Sequence, residues 1–194
     1  AGLWCSLAKP RVDSQPETIR TFLRRTSILE QLSPALCAAV TGQSESGQLL
    51  HYLESNNLFL VALDEERTWY RYHALFVELL RNQLLQAEPE RAAALHERAA
   101  SWYQHHGLIQ PAVEHAFQSG NSDALATLLE QNALPMLYQG EVATVVGWFD
   151  RLPTTLLHTS PRLCIDKAWA LALLQRQTRI AEVEQTLQAA DQAL

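Results

Sequence analysis

The chain has 194 residues, of which 47% are hydrophobic and 19% are charged, so it is long enough to bury a substantial core. Only seven glycines and eight prolines occur, and abundant Ala, Leu, Gln, Glu and Arg predict a mostly helical protein. The formal net charge of -6 argues against nucleic-acid binding, which usually leaves a basic patch on the protein surface.

The cysteines and the hydropathy indicate the compartment. Three widely spaced cysteines, Cys5, Cys37 and Cys164, match neither a disulfide framework nor a CxxC pair of metal ligands. No apolar stretch approaches the roughly 20 residues that span a bilayer, and the N-terminus has no signal-peptide pattern. We therefore expect a cytoplasmic protein that makes no membrane contact.

Three short helices are predicted within residues 16–57. Ser14 and Ser44 are N-cap candidates for the first and third of these helices. Ser33, followed by a proline, opens the second helix, and Gly42 ends it. The third helix, "SESGQLLHYLESNN", carries two glutamates and neither Lys nor Arg, so we expect it to make no direct contact with DNA.

A β-hairpin is predicted after these helices. In "LFLVALDEERTWYRYH", residues 58–63 and 68–72 are rich in β-formers and flank the polar turn "DEER". Three helices followed by a hairpin is the order of a winged-helix module, which we assign to residues 15–87. Residues 1–14 show no clear period and form an unassigned leader. His73 lies where the second strand leads into the next helix.

The remainder of the chain shows helical periodicity. "PERAAALHERAASWYQHHG" and "LIQPAVEHAFQSG" end at Gly107 and Gly120 and have apolar residues at helical spacing. Ala112 and Ala116 occupy offsets that tetratricopeptide repeats use for close helix packing. The predicted fold class is therefore mainly α: a winged-helix module with one hairpin, followed over residues 88–194 by antiparallel helix pairs of a tetratricopeptide-like superhelix.

Several motifs, in this order, carry a family resemblance. "ETIRTFLRRTSILEQLSPALCAAVTG", "LLHYLESNNLFLVALDEERTWYRYHALFVELLRNQL" and "PERAAALHERAASWYQHHGLIQPAVEHAF" resemble the middle of MalT-like, ATP-dependent LuxR-family transcriptional activators. The likeness continues through "LYQGEVATVVGWFDRLP" and "PRLCIDKAWALAL", and covers roughly residues 15–175. It implies a signal-transduction ATPase with a nucleotide-binding module, a winged helix, a helical effector sensor and a C-terminal helix-turn-helix.

The sequence carries only the middle two of these parts. It has no GxxxxGK[ST] phosphate loop and no basic helix-turn-helix. We therefore expect a segment of a longer protein, with no catalytic residues and no cofactor of its own, whose parent binds ATP or ADP. The resemblance implies three partners: the parent's own nucleotide-binding module, other protomers, and an unidentified small-molecule or protein effector. It also implies an ADP-held resting state that effector and ATP release.

Two roles are open for His73. From the residues alone it caps or packs at a strand-to-helix turn. The resemblance implies instead that His73 contacts the nucleotide phosphate, as a winged-helix histidine does in related signal-transduction ATPases. An imidazole can donate to a phosphate oxygen, the N-terminus of the following helix favours anions, and Arg71 would add positive charge.

Five aromatic residues of the helical part are candidates for effector binding, because their rings can stack on a flat ligand. They are Trp102, Tyr103, Tyr138, Trp148 and Trp169. The alternative is that they pack in the core between helices. Likewise Trp69, Tyr70 and Tyr72 are interpreted as core rather than as a base-stacking platform, because a strand exposes alternate residues to opposite faces.

Four histidines, His96, His105, His106 and His115, lack the spacing of a zinc site, so we expect no metal. They are interpreted as exposed or helix-terminal residues, which the dipole at a helix C-terminus favours. The functional hypothesis is a regulatory segment that couples nucleotide state and effector sensing to DNA binding in the parent. The alternative is a helical-repeat scaffold that binds a protein partner without nucleotide coupling, and an enzyme is the weakest hypothesis.

Overall fold

The computed structural model describes residues 10–174, apart from the side chains of residues 154, 158 and 159. It is mainly helical with one two-stranded antiparallel sheet, which confirms the predicted fold class. The elements are α1 (Glu17–Thr26), α2 (Pro34–Thr41), α3 (Ser46–Ser55), β1 (Leu60–Ala62), β2 (Tyr70–Tyr72), α4 (Ala74–Ala87), α5 (Pro89–His105), α6 (Ile109–Ser119), α7 (Ser122–Tyr138), α8 (Val142–Arg151) and α9 (Thr154–Thr159).

Further helical turns cover residues 10–13 and 161–174. Residues 10–13 belong to the stretch that had no sequence assignment. The first nine residues of that leader, and residues 175–194 of the predicted superhelix, lie outside the described residues. The chain forms two compact units, one ending at Asn121 and the other beginning at Ser122, and each is described by itself.

The three predicted N-terminal helices are present, but Ser14 and Ser44 are not their N-caps. Helix α1 follows Pro16 and α3 follows Glu45, each without a side-chain capping hydrogen bond.

Local signals do define both ends of α2. Ser33 Oγ accepts a hydrogen bond from the backbone N–H of Leu36 at 3.3 Å, which satisfies a donor in the first turn of α2. Pro34 lies at the first position of that helix, where its missing N–H costs no helical hydrogen bond. At the other end Gly42 has a φ of 76°, a left-handed conformation that stops α2.

The hairpin forms in the predicted place, and a single residue of another loop pairs with β2. Leu60 pairs with Tyr72 in the antiparallel register of β1 and β2. On the other side of β2, Leu32 and Tyr70 exchange two backbone hydrogen bonds, both 2.8 Å long. This long-range bridge ties the loop between α1 and α2 to the hairpin.

The two strands are shorter than the sequence pattern predicts. Phe59 has a φ of 56°, a left-handed backbone conformation that interrupts extended structure, so β1 begins only at Leu60. In the turn, Asp64 Oδ1 accepts hydrogen bonds from the backbone N–H groups of Thr68 at 2.8 Å and Trp69 at 3.2 Å. These bonds keep residues 68 and 69 in the turn, and β2 starts at Tyr70.

One face of the hairpin packs into the core. Tyr70 and Tyr72 are buried while Arg71 between them is exposed, which is the alternation expected of a strand with one solvated face. The ring of Phe76, in the first turn of α4, lies 4.8 Å from the ring of Phe59 and 5.7 Å from that of Tyr72. The interpretation of these tyrosines as core residues is confirmed.

Helices α5 and α6 form a closely packed pair joined at Gly107, whose φ is 71°. The predicted small residues Ala112 and Ala116 are both buried, and Ala99 on α5 is fully buried as well, so small residues lie where the two helices pack. Helix α5 also packs against α2 and α4, and Arg98 Nη1 donates to the carbonyl oxygen of Val40 at 3.2 Å. The first compact unit therefore extends beyond residue 87 to Asn121, and a domain boundary at residue 87 stays a prediction.

The second unit contains helices α7 to α9 and the helix over residues 161–174. Its core includes Leu129, Val145, Phe149 and Leu163, which are almost completely shielded from solvent. Helices α7 and α8 contact each other across the turn at Gly140. Within residues 10–174, none of the helices combines the length and apolar character that crossing a membrane requires.

Candidate functional site

His73 occupies the junction between β2 and α4. Its backbone N–H donates to the carbonyl oxygen of Phe59 at 2.9 Å, and its own carbonyl accepts from the N–H groups of Phe76 and Val77 at 2.9 and 3.0 Å. His73 is thus the N-cap residue of α4 through its backbone, whereas its side chain makes no capping hydrogen bond. The residue is exposed at the start of a helix.

Arg71 and His73 lie on the same face of the chain. Both residues have extended backbone and are two positions apart, so their side chains project to one side. Val61 is the cross-strand partner of Arg71, and Val61 and Leu63 are 44% and 42% exposed. These four residues form what we call the wing face, on which Arg71 and His73 lie beside two apolar side chains.

A second cluster lies between α5 and α6. The Nδ1 atoms of His96 and His115 are 2.8 Å apart, a hydrogen bond in which one imidazole donates and the other accepts. The ring of Tyr103 stacks on His115 with 5.4 Å between ring centroids and 15° between planes. The cluster therefore fixes three aromatic rings against one another in the first unit.

Both histidines of this pair are neutral at physiological pH. Burial lowers the pKa of His96 to about 4, and the positive charge of Arg81 lowers it too. Burial, then the neighbouring His96 and Arg81, lowers the pKa of His115 to about 4. Arg81 is held in place because its Nε donates to the carbonyl oxygen of Ser27 at 2.8 Å.

The histidine pair lines a cavity of about 590 Å³ in the first unit. Ile28 and Glu30 follow α1, Arg81 and Leu84 come from α4, and the rest of the wall belongs mainly to α5 and α6. Burial raises the pKa of Tyr103 to about 12, and the negative charge of Glu30 contributes after burial. The cavity thus brings together apolar side chains, neutral imidazoles and charges of both signs.

The interpretation of the four histidines as exposed or helix-terminal is wrong for His96 and His115. His115 is buried and His96 half-buried, because both belong to the helix faces that pack together. Helical periodicity could have predicted this burial. His96 lies four residues after the buried Ala92, and His115 lies three residues after the buried Ala112, so each histidine is on the same helix face as a buried alanine.

The same interpretation is correct for the other two histidines. His105 and His106 are exposed at the end of α5, and their Nδ1 atoms lie 2.6 and 2.7 Å from the carbonyl oxygens of Ser101 and Trp102. In the part of the chain that the structure describes, no three His, Cys, Asp or Glu side chains converge as metal ligands would.

The five aromatic effector candidates are divided between the two units. Tyr103 lines the cavity, while Trp102 is half-buried and stacks on His106 with 3.8 Å between centroids. In the second unit Tyr138 is 82% exposed and Trp169 57% exposed. Trp148 is only 4% exposed, so its ring packs in the core and is not available to a ligand.

Comparison with known proteins gives the family. The MalT winged helix domain model matches residues 11–92. The chain is 31% identical over 193 residues to the HTH-type transcriptional regulator MalT of Vibrio parahaemolyticus, covering 99% of the chain and 21% of that protein. It is likewise 31% identical over 183 residues to MalT of Yersinia pestis, covering 94% of the chain and 20% of that protein.

A relative with a different name shows similar likeness. The chain is 30% identical over 170 residues to the serine/threonine-protein kinase PknK of Mycobacterium tuberculosis, covering 88% of the chain but 15% of that protein. The chain thus spans about a fifth or less of the length of the curated relatives it matches. The matching family model describes a winged-helix domain and not a catalytic domain. The chain therefore belongs to the MalT-like family, with a MalT winged-helix domain at residues 11–92 and likeness to MalT regulators over nearly all of its length.

Proposed function

We propose that the chain is the regulatory segment of a MalT-like, LuxR-family transcriptional activator. In the longer protein it couples nucleotide state and effector sensing to DNA binding by another module. The likeness to MalT regulators over nearly the whole chain supports this role. The comparable likeness to a protein named as a kinase fits a regulatory segment that is combined with different output modules.

The wing face supports the proposed coupling to nucleotide state. His73 and Arg71 are exposed on one side, directly before the N-terminus of α4. An imidazole N–H, a guanidinium and a helix N-terminus all stabilise a phosphate group. Val61 and Leu63 beside them suit contact with a protein surface. We therefore infer that the parent's nucleotide-binding module, holding ADP or ATP, docks on this face.

The helical part of the chain is the proposed effector sensor. A small-molecule or protein effector would bind there, shift the equilibrium away from the ADP-bound state, and allow protomers to associate. Tyr103 and Trp102 each line a cavity, Tyr138 and Trp169 are exposed, and Trp148 is buried. Cytoplasmic location stays a prediction.

The test is a His73→Ala substitution in the full-length protein. We expect the variant to retain less ADP through gel filtration and to activate transcription more strongly without effector, because the contact that holds the resting state is lost. His51→Ala is the matched control, since His51 is an exposed histidine in α3 of the same domain. Unchanged ADP content together with unchanged basal transcription would reduce His73 to a structural role and favour the scaffold hypothesis.

A further inference from the structure

We propose that the cavity beside the histidine pair binds a small zwitterionic molecule of the amino-acid class. Its carboxylate would lie against Arg81 and the histidine pair, its ammonium against Glu30 and Glu114, and its apolar side chain against Ile28 and Leu84. This inference deepens the effector-sensing half of the proposed function and rests on it for its regulatory meaning. The binding itself is measured separately from transcription.

Arg81 supplies the positive charge of the cavity wall. Its Nε donates to the carbonyl oxygen of Ser27 at 2.8 Å, which orients the guanidinium. After burial, its positive charge contributes to the lowered pKa of both His96 and His115. A ligand carboxylate beside Arg81 would accept charge-assisted hydrogen bonds from the guanidinium and one N–H from the neutral imidazole pair.

Glu30 and Glu114 supply the carboxylates of the cavity wall. Both carboxylates line the same cavity, and the charge of Glu30 acts on Tyr103, whose pKa it helps to raise. An ammonium group has three N–H donors and no acceptor, so it matches two carboxylates and the face of the Tyr103 ring. The cavity wall therefore carries both a guanidinium and two carboxylates.

The charge pattern selects among ligand classes. A purely anionic ligand would face both carboxylates, and a purely cationic ligand would face Arg81, so each would bury one unfavourable contact. A zwitterion can pair with the guanidinium and with a carboxylate at once. The volume of about 590 Å³ lies within the range of small-molecule sites, and Leu85 and Pro111 extend the apolar wall. These dimensions suit a single amino acid with an aliphatic side chain or a dipeptide.

The experiment compares three probes by isothermal titration calorimetry on the chain. L-leucine carries both charges, N-acetyl-L-leucine lacks the ammonium, and L-leucinamide lacks the carboxylate. We expect L-leucine to bind at least about tenfold more tightly than either derivative. Similar affinities for all three probes, or no binding of L-leucine up to roughly 10 mM, would overturn the proposal.

Substitutions assign each charge to its residue. We expect Arg81→Gln to abolish the preference for L-leucine over L-leucinamide, and Glu30→Gln to abolish the preference over N-acetyl-L-leucine. Arg91→Gln and Glu66→Gln are matched controls, because both residues are exposed and lie outside the cavity. If Arg81→Gln does not fold, as judged by circular dichroism, the exposed Glu30 still provides the test. If Glu30→Gln still prefers L-leucine over N-acetyl-L-leucine as strongly as the wild type does, the proposal is contradicted. This holds even if His73→Ala gives the result expected for nucleotide coupling.

Discussion

The phenol oxygen of Tyr72 lies 2.7 Å from Oγ1 of Thr26, and this buried hydrogen bond joins the hairpin to α1. Thr26 Oγ1 also lies 2.7 Å from the carbonyl oxygen of Phe22, which can only accept. A threonine hydroxyl has a single hydrogen, so Thr26 donates to Phe22 and Tyr72 donates to Thr26. Burial raises the pKa of Tyr72, so its donor hydrogen is retained throughout the physiological pH range.

This direction of donation ranks two substitutions. Tyr72→Phe removes one donor but leaves Thr26 bonded to Phe22, so we expect it to lower the free energy of unfolding by about 1 kcal/mol. Thr26→Val removes the acceptor and leaves the Tyr72 hydroxyl buried without it, so we expect a larger loss of about 1–3 kcal/mol. Urea denaturation at pH 7 measures both.

A control and a double variant sharpen the ranking. The hydroxyl of Tyr52 donates to Gln15 at an exposed position, so Tyr52→Phe is expected to change stability by less than about 0.5 kcal/mol. The double variant, with both Tyr72→Phe and Thr26→Val, should lose less unfolding free energy than the sum of the two single losses, because the two side chains interact directly. A larger loss for Tyr72→Phe than for Thr26→Val would contradict the assigned direction.

The same contacts show what the sequence could and could not predict. Helix ends at Ser33 and Gly42, and the hairpin itself, follow from local signals, so they were predicted in the right places. The left-handed backbone of Phe59 shortens β1, and the sequence does not indicate this because residue 59 is neither a glycine nor an asparagine. The bridge between Leu32 and Tyr70 is likewise formed by residues far apart in the chain, and local patterns carry no information about it.

Site features that depend on local sequence order were predictable, whereas those that depend on how helices pack were not. The position of His73 before a helix was predictable, because it needs only the order of a strand and a helix. The pairing of His96 with His115 depends on how α5 and α6 rotate against each other, and the cavity depends on α4 as well. Aromatic content alone could not separate the buried Trp148 from the exposed Tyr138, since both lie in helical segments.

The histidine pair predicts how stability depends on pH. The folded chain lowers the pKa of His96 and His115 to about 4, below the usual 6.5, so between these values the unfolded chain binds more protons. The contribution of the pair to stability is therefore present above pH 6.5 and is lost as pH falls towards 4. Arg81 opposes protonation here, while Glu30 and Glu114 also line this cavity. Each histidine contributes a slope of at most about 1.4 kcal/mol per pH unit.

Urea denaturation at pH 7 and pH 5 tests this dependence. We expect a marked loss of stability at pH 5 in the wild type and a much smaller loss after His96→Gln and His115→Gln are combined. The matched control combines His105→Gln with His106→Gln, which alters two exposed histidines at the end of α5. The same pH dependence in both double variants would show that the histidine pair is not its source.

Close packing between α5 and α6 predicts a position-specific effect of side-chain size. Ala112 is fully buried against α5, so Ala112→Leu would force extra volume into a filled interface and is expected to cost about 1–3 kcal/mol. Ala94, on α5, is exposed, so Ala94→Leu should change stability by less than about 0.5 kcal/mol. Thermal denaturation monitored by circular dichroism compares the two, and equal melting temperatures would mean that the helix pair is loosely packed.

The charge of Arg71 gives a further test of the wing face. If the guanidinium contacts a nucleotide phosphate, Arg71→Gln in the full-length protein should weaken ADP binding most at low salt, because screening already weakens the wild-type contact at high salt. Its side chain is exposed on β2, so the substitution should leave stability within about 0.5 kcal/mol of the wild type. Arg67→Gln, in the exposed turn of the same hairpin, is the charge-matched control. Titration of a fluorescent ADP analogue at two salt concentrations measures the difference, and an equal loss in both variants would assign it to net charge rather than to a contact at Arg71.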